Sequence, residues 1–241
     1  TFWDPADPAD VHQDHKAILF GQVALGSAVT ELIERFGVRP SAVIGYSLGE
    51  TAGLVATRAW TARDEMLRRV NDSTLFTEDL AGECKAVRRA WKLPSHKTVD
   101  WALGIIDRPA KVVRAAMQDH KKVYSLAVNT LQECVVGGDV HAVERLVKKL
   151  DCEFFPLQGV TTVHCEVAKE VQVPYRDLHL LDTTPPRGIR YYSGAWGTAY
   201  NVSRESAADS VLAQAIYGID YPKMLEAAYY DGARVLLEMG P

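Results

Sequence analysis

The stretch Gly45-Tyr46-Ser47-Leu48-Gly49 constrains the fold more than any other. It has the form GxSxG. Before it lies a short apolar run, residues 41–45, bounded by Pro40, and after it a helical pattern over residues 48–58. A buried strand entering a sharp turn and leaving as a helix is the setting of a nucleophile elbow. Glycines flank the serine because a side chain there would clash where strand and helix close on each other. The turn holds the Ser47 hydroxyl at the C-terminal edge of a sheet. The free amides of the following helix, beginning with that of Leu48, point at the same place and suit a developing oxyanion. The competing reading is a structural turn whose serine only caps the helix.

The remaining pattern sets that elbow in an α/β protein. Residues 16–36 are helical up to Gly37, and residues 63–70 are helical again. Residues 71–94 read as a helix or two with loops. From residue 99 the order is strand (99–106), helix (109–118), strand (123–129), strand (133–136), helix (140–150), strand (152–157). That β-α-β-β-α-β order is the ferredoxin-like unit. Beyond it come a short helix (163–171), a strand (189–193), two helices (206–216 and 221–230) and a last strand (233–238). The expected fold is an α/β-hydrolase-like large subdomain, residues 1–98 and 158–241, with an inserted ferredoxin-like small subdomain, residues 99–157.

Composition narrows the function classes. With 241 residues, 47% of them hydrophobic and 24% charged, the chain can bury a sizeable core unaided. A formal net charge of -4 carries no basic excess for nucleic acid or an anionic membrane. Uninterrupted apolar runs are too short to span a bilayer, and no charged-then-apolar leader opens the chain. The 4 cysteines (Cys84, Cys134, Cys152, Cys165) form no CxxC pair, so neither a zinc site nor a disulfide framework is expected, and a cytoplasmic setting fits. No HExxH, P-loop or GxGxxG occurs. The chain opens without Met in a polar stretch and stops at Gly240-Pro241, which reads as a piece cut from something longer.

A nucleophilic serine needs a base, and 7 histidines are available. His12 and His15 lie in the polar opening, His120 ends a helix and His141 starts one. His164, in Thr161-Thr162-Val163-His164-Cys165, follows the small subdomain and precedes a helical stretch, so it can return to the sheet edge where Ser47 sits. A buried histidine satisfied by a carbonyl is the plainer reading, and His179 is the spare candidate. Cys165 reads as a small buried residue.

Together, three features in order resemble the acyltransferase domains of polyketide and fatty-acid synthases, the malonyl transacylase-like family. They are residues 43–50 at the elbow, similar to G-H-S-x-G-E; Val163-His164-Cys165 at the catalytic histidine; and residues 237–241, similar to the closing E-x-G-P strand. The wording of residues 45–54 with Ala59-Trp60 and residues 63–68 looks most like synthases of the polyunsaturated-fatty-acid type. The resemblance implies ping-pong acyl transfer through a Ser47 acyl-enzyme, with His164 as base and the Leu48 amide in the oxyanion hole. Acyl-CoA and phosphopantetheine-carrier thioesters would be the substrates, with no bound cofactor or metal. An acyl carrier protein and neighbouring synthase domains, a ketosynthase among them, would be the partners. The family's second oxyanion donor comes from a Gln-containing loop that has no counterpart here. Gln22, inside a helical stretch, is a poor substitute, which implies weak activity for this piece.

Departures from the pattern bear on the substrate. Tyr46 stands where histidine is usual. Malonyl-type members carry an arginine 25 positions after the nucleophile; an ungapped count puts Asp72 there, which would repel a carboxylate. Arg68 or Arg69 by a register shift, or Arg88 and Arg89, are the alternatives. Residues 161–164, Val163 among them, differ from the tetrapeptides of malonyl-selective members. A neutral acyl group held by burial is therefore expected over malonyl. Glu50, just after the elbow, is a candidate catalytic acid, but a carboxylate in the first helical turn suits the helix dipole anyway, so a structural role is expected. The basic cluster Lys85, Arg88, Arg89, Lys92, with Lys148 and Lys149, is a candidate carrier-docking face. Rival readings are a serine hydrolase or thioesterase whose triad acid is Asp182 or Asp209, and a non-catalytic scaffold.

Overall fold

The computed structural model describes residues 15–94, 96–157 and 161–240. Strand β1 (Ala42–Ile44) runs parallel to β6 (Arg190–Ser193), which pairs antiparallel with β7 (Thr198–Tyr200). Val43 lies opposite Tyr191 in that register. Helix α1 (His15–Arg35) precedes β1, and α2 (Leu48–Ala56) follows it through the elbow. Helix α3 (Arg63–Asp72) answers the helix expected over residues 63–70, and a π-helical turn (Leu75–Asp79) and the short α4 (Lys85–Ala90) lie in the stretch 71–94 read as one or two helices with loops.

The inserted unit has the expected order. Strands β2 (Trp101–Ile106), β3 (Val123–Val128), β4 (Cys134–Asp139) and β5 (Phe154–Pro156) lie β5-β2-β4-β3, and all pair antiparallel. Helices α5 (Ala110–Met117) and α6 (Val140–Leu150) make the crossovers, and the Asp139 carboxylate caps α6 at the Ala142 N–H, 3.1 Å. Side chains alternate across the sheet. Ile106, Val113, Val136 and Leu146 form a core under the two helices. From the opposite face, Trp101, Leu126 and Val135 join the main core.

After the insert, a 3₁₀ turn (Glu166–Val171) runs into α7 (Gln172–His179), where one short helix was expected. Helix α8 (Arg204–Tyr217) leads to β8 (Ile219–Asp220) and α9 (Tyr221–Tyr230). Strand β8, too short to be legible, adds parallel to β3 at Ala127 and Val128, so the small sheet gains a fifth strand from the main chain layer. Gly218 makes the turn between α8 and β8 with φ 84°; a Cβ there would sit 2.6 Å from the Leu126 oxygen.

Two expectations are corrected. Residues 233–238 are not a strand: Ala233 donates to the Ala228 oxygen, residues 234–240 pair with no strand among the described residues, and Val235, Leu236 and Leu237 are exposed. Consecutive apolar residues supply strand propensity, but a strand exists only by its partner. Helix α1, over Lys16–Arg35, is long and apolar enough to cross a membrane by length and composition alone, although no uninterrupted apolar run shows it. In the fold it packs against α2 through its buried Val23, Gly26 and Thr30.

Candidate active site

Ser47 has φ 53° and ψ -118°, a backbone conformation that costs a non-glycine residue about 1–3 kcal/mol. Strained turns of this kind persist where surrounding packing fixes them. Here a Cβ on Gly45 would lie 2.0 Å from the Glu50 nitrogen, so β1 and the start of α2 can close only over glycine; a Cβ on Gly49 would meet nothing within 4 Å, so the clash expected at both glycines is corrected to Gly45. The Gly49 and Glu50 amides are spent on the Tyr46 and Ser47 oxygens, at 2.8 and 3.2 Å. The Leu48 N–H has no acceptor among the described residues and remains available to a developing oxyanion.

The structure brings His164 to Ser47. Its Nε2 lies 2.8 Å from Ser47 Oγ across 117 positions of sequence. The segment before it is pinned by Thr162, whose N–H and hydroxyl both donate to the Leu80 oxygen, and the segment after it by the Cys165 N–H on the Ala215 oxygen, 3.1 Å. His164 Nδ1 donates to the Gln214 main-chain oxygen at 2.9 Å. Because a carbonyl only accepts, the proton sits on Nδ1 and the Nε2 lone pair faces the serine hydroxyl. Burial holds the imidazole below its ordinary pKa, so it is unprotonated at neutral pH and its Nε2 lone pair is free to accept a proton.

Sequence reasoning missed Gln214. It lies mid-helix in α8, where nothing in the pattern marks it. Its Nε2 donates to the Ser47 oxygen at 3.0 Å, and its Oε1 is buried without a partner among the described residues. Glu50, expected in a structural role on the helix dipole rather than as a catalytic acid, is almost fully buried. Its carboxylate accepts from Ser210 Oγ, from the Gly194 N–H at 3.3 Å and from Tyr200 OH at 3.4 Å. Burial raises its pKa to about 7, against the pull of those three donors.

Tyr46 turns toward the small sheet. Its hydroxyl donates to Asn129 Oδ1 at 3.0 Å, Asn129 Nδ2 donates to Glu133 Oε1 at 2.9 Å, and its ring meets Tyr221 edge-on at 5.7 Å. Burial, then the Glu133 charge, pushes the phenol up to about 12. Asn129 and Glu133, in the β3–β4 connection, were not singled out from sequence. Val163, next to the histidine, packs half-buried on the main core. Asp72 is exposed at the end of α3 and pairs with Arg68 at 3.2 Å; none of its hydrogen bonds reaches the site.

The other sequence candidates have structural duties. His179 is buried between the Trp60 and Tyr175 rings, its Nδ1 on the Tyr175 oxygen at 2.7 Å, and burial lowers its pKa to about 4. Asp209 pairs with Arg176 at 2.6 Å, and neither it nor Asp182 holds His164. Burial raises the Cys165 thiol to about 12. The basic cluster is largely answered within the chain. Lys85 meets Glu78, Arg89 meets Asp79 and Glu170, Lys149 meets Asp119, and Arg88 binds main-chain oxygens of Pro94 and Lys97. Among the described residues no group of His, Cys, Asp and Glu comes together as a metal site.

No family model matches the chain. A polyunsaturated fatty acid synthase polypeptide of Thraustochytrium sp. is 20% identical over 220 residues, which is 85% of this chain and 11% of that protein. The acyltransferase domain from the second module of the salinomycin polyketide synthase superposes with a TM-score of 0.78 at 18% identity, covering 98% of this chain and 52% of that one. An acyl carrier protein S-malonyltransferase from Vibrio cholerae gives 0.73 at 20% identity, covering 99% and 75%. The chain thus spans a small fraction of the curated relative and about half of the salinomycin domain. At this similarity the comparison establishes architecture: the chain has the fold of the acyltransferase domains of polyketide synthases and of acyl carrier protein S-malonyltransferases.

Proposed function

We infer that this chain is an acyltransferase module that passes an acyl group from a CoA or carrier thioester, through Ser47, to the phosphopantetheine thiol of an acyl carrier protein. The observation that carries the reading is the Ser47 Oγ to His164 Nε2 contact of 2.8 Å at a strained elbow, with Nδ1 committed to a carbonyl. His164 takes the hydroxyl proton as Oγ attacks the thioester carbon. The oxyanion faces the Leu48 N–H, and collapse releases the donor thiol, which leaves with the proton from His164. The carrier thiol then attacks the acyl-enzyme by the same steps in reverse. In this reading the chain works in the cytoplasm beside other synthase domains such as a ketosynthase.

A neutral acyl group is favoured over malonyl. A malonyl carboxylate calls for a free arginine, and the arginines near the expected position are engaged. Arg68 holds Glu65 and Asp72; Arg69 holds Glu65 and the Asp177 and Leu180 oxygens. A hydrolase with an aspartate triad is disfavoured because His164 is oriented by a main-chain oxygen.

Intact-mass analysis after incubation with malonyl-CoA, acetyl-CoA and a long-chain acyl-CoA tests the proposal, with Ser47→Ala as control. The expected result is an acetyl or long-chain adduct that the variant lacks. A malonyl adduct alone would overturn the substrate assignment. A folded protein that takes no adduct from any donor would overturn the acyl-enzyme.

A further inference from the structure

Helix α8 touches the elbow at two places one turn apart. At Ser210 it meets Glu50, and at Gln214 it meets both Ser47 and His164. Residues four apart on a helix share one face, so both contacts come from the same side of α8. Glu50 is also tied to Gly194, after β6, and to Tyr200 on β7. It therefore joins the elbow helix, the sheet and α8 at one buried point. We propose that Glu50 is a positioning residue, whose carboxylate, through Ser210, holds α8 at the height where Gln214 orients His164 and anchors the Ser47 carbonyl.

Three donors converge on the carboxylate, an arrangement built for an acceptor with no proton of its own. Protonation gives the site a fourth hydrogen to accommodate and weakens the hold on Ser210. Among the described residues, the titratable groups that face Glu50 are the Tyr200 phenol from β7 and the Tyr175 phenol from α7, both kept neutral by burial. Asp209, beside Ser210 on α8, is turned to Arg176. Among the described residues no cation neutralises Glu50, and burial places its ionisation near pH 7. The geometry of the Ser47–His164 pair is thus coupled to a carboxylate that changes state at neutral pH without touching substrate.

This inference rests on Ser47 being the nucleophile, and the test separates the two. The rate of Ser47 labelling by a fluorophosphonate is followed by intact mass from pH 5 to 9 for the wild type, Glu50→Gln and Ser210→Ala. Melting curves establish that each is folded. The wild type should show an inflection near pH 7 in addition to a lower one from His164. Glu50→Gln should label about ten-fold or more slowly at high pH, as displacement of an oriented base does, and should lose the inflection near pH 7. Ser210→Ala should slow labelling similarly, and the double variant should be no slower than the worse single, because both act through one contact. Should Glu50→Gln fail to fold, Ser210→Ala carries the comparison alone. Folded variants that label at the wild-type rate with an unchanged pH profile would overturn the positioning role. A folded wild type that does not label at all would overturn the nucleophile assignment and this inference with it.

Discussion

The Gln214 main-chain oxygen accepts the Nδ1 proton of His164 at 2.9 Å, and this one contact decides which imidazole nitrogen faces Ser47. With Nδ1 protonated, Nε2 is free to take the serine proton. His164→Ala should lower Ser47 acylation or labelling by about 10²–10⁴-fold, the usual contribution of a positioned base. Burial depresses the His164 pKa, so the base should stay neutral to below pH 6.5. In a Glu50→Gln background the remaining acid limb should therefore fall below that of free imidazole. A limb at or above pH 6.5 there would mean the ring is open to water.

Gly45→Ala tests the elbow itself. A methyl 2.0 Å from the Glu50 nitrogen cannot be absorbed by a rotamer change, because the obstacle is backbone. Strand β1 must part from α2, and overpacking against main chain should exceed the usual cost of about 1–3 kcal/mol. The expected outcome is a melting temperature lowered by many degrees with loss of Ser47 labelling. A stable, labelled Gly45→Ala protein would show that strand and helix do not close on this residue.

Tyr46→Phe removes the hydroxyl that reaches Asn129 and leaves the ring against Tyr221. A half-exposed neutral hydrogen bond contributes about 0.5–1.5 kcal/mol, so the melting point should shift little. The bond ties the elbow to the β3–β4 connection. If the acyl or pantetheine group binds beside this contact, the variant should raise KM with kcat nearly unchanged. Steady-state transfer with the donor found by mass analysis gives both constants. A fall in kcat alone would place Tyr46 at the chemistry instead.

Much of this site was legible because its parts are local. Gly45, Ser47 and the helix after them announce an elbow within six residues, and strands 101–106, 123–128 and 134–139 have lengths and turns that fix a β-α-β-β-α-β order. His164 was legible only through the order of motifs, since nothing around it distinguishes a base from a buried histidine. Gln214 and Glu50 were not assigned their contacts because their roles arise from helix docking. A glutamine in mid-helix and a carboxylate in a first turn look ordinary until α8 is laid against α2. Strand β8, two residues long, exists because β3 offers it an edge. Residues 235–237 have the composition of a strand and no such neighbour.

Buried Glu50 and His179 should oppose each other in the pH dependence of stability. The Glu50 pKa is raised from 4.5 to about 7, so between those values the native state holds a proton that the unfolded chain has released. Its contribution is fully present below pH 4.5 and is lost as pH rises through about 7. His179 is lowered from 6.5 to about 4, so its contribution is fully present above pH 6.5 and is lost as pH falls through about 4. Over pH 4.5–6.5 the two slopes offset. Below that window the histidine loss stands alone, and from pH 6.5 upward the Glu50 loss does. The difference between wild type and Glu50→Gln isolates one of them. Melting curves from pH 4 to 8.5 should show the variant gaining on the wild type by up to about 3 kcal/mol as pH rises from 4.5 to about 7 and levelling off above that, less whatever its altered hydrogen bonds cost. A difference that stays constant across that range would mean Glu50 keeps the same charge in the folded and unfolded chain, and that the three donors, not burial, set its ionisation.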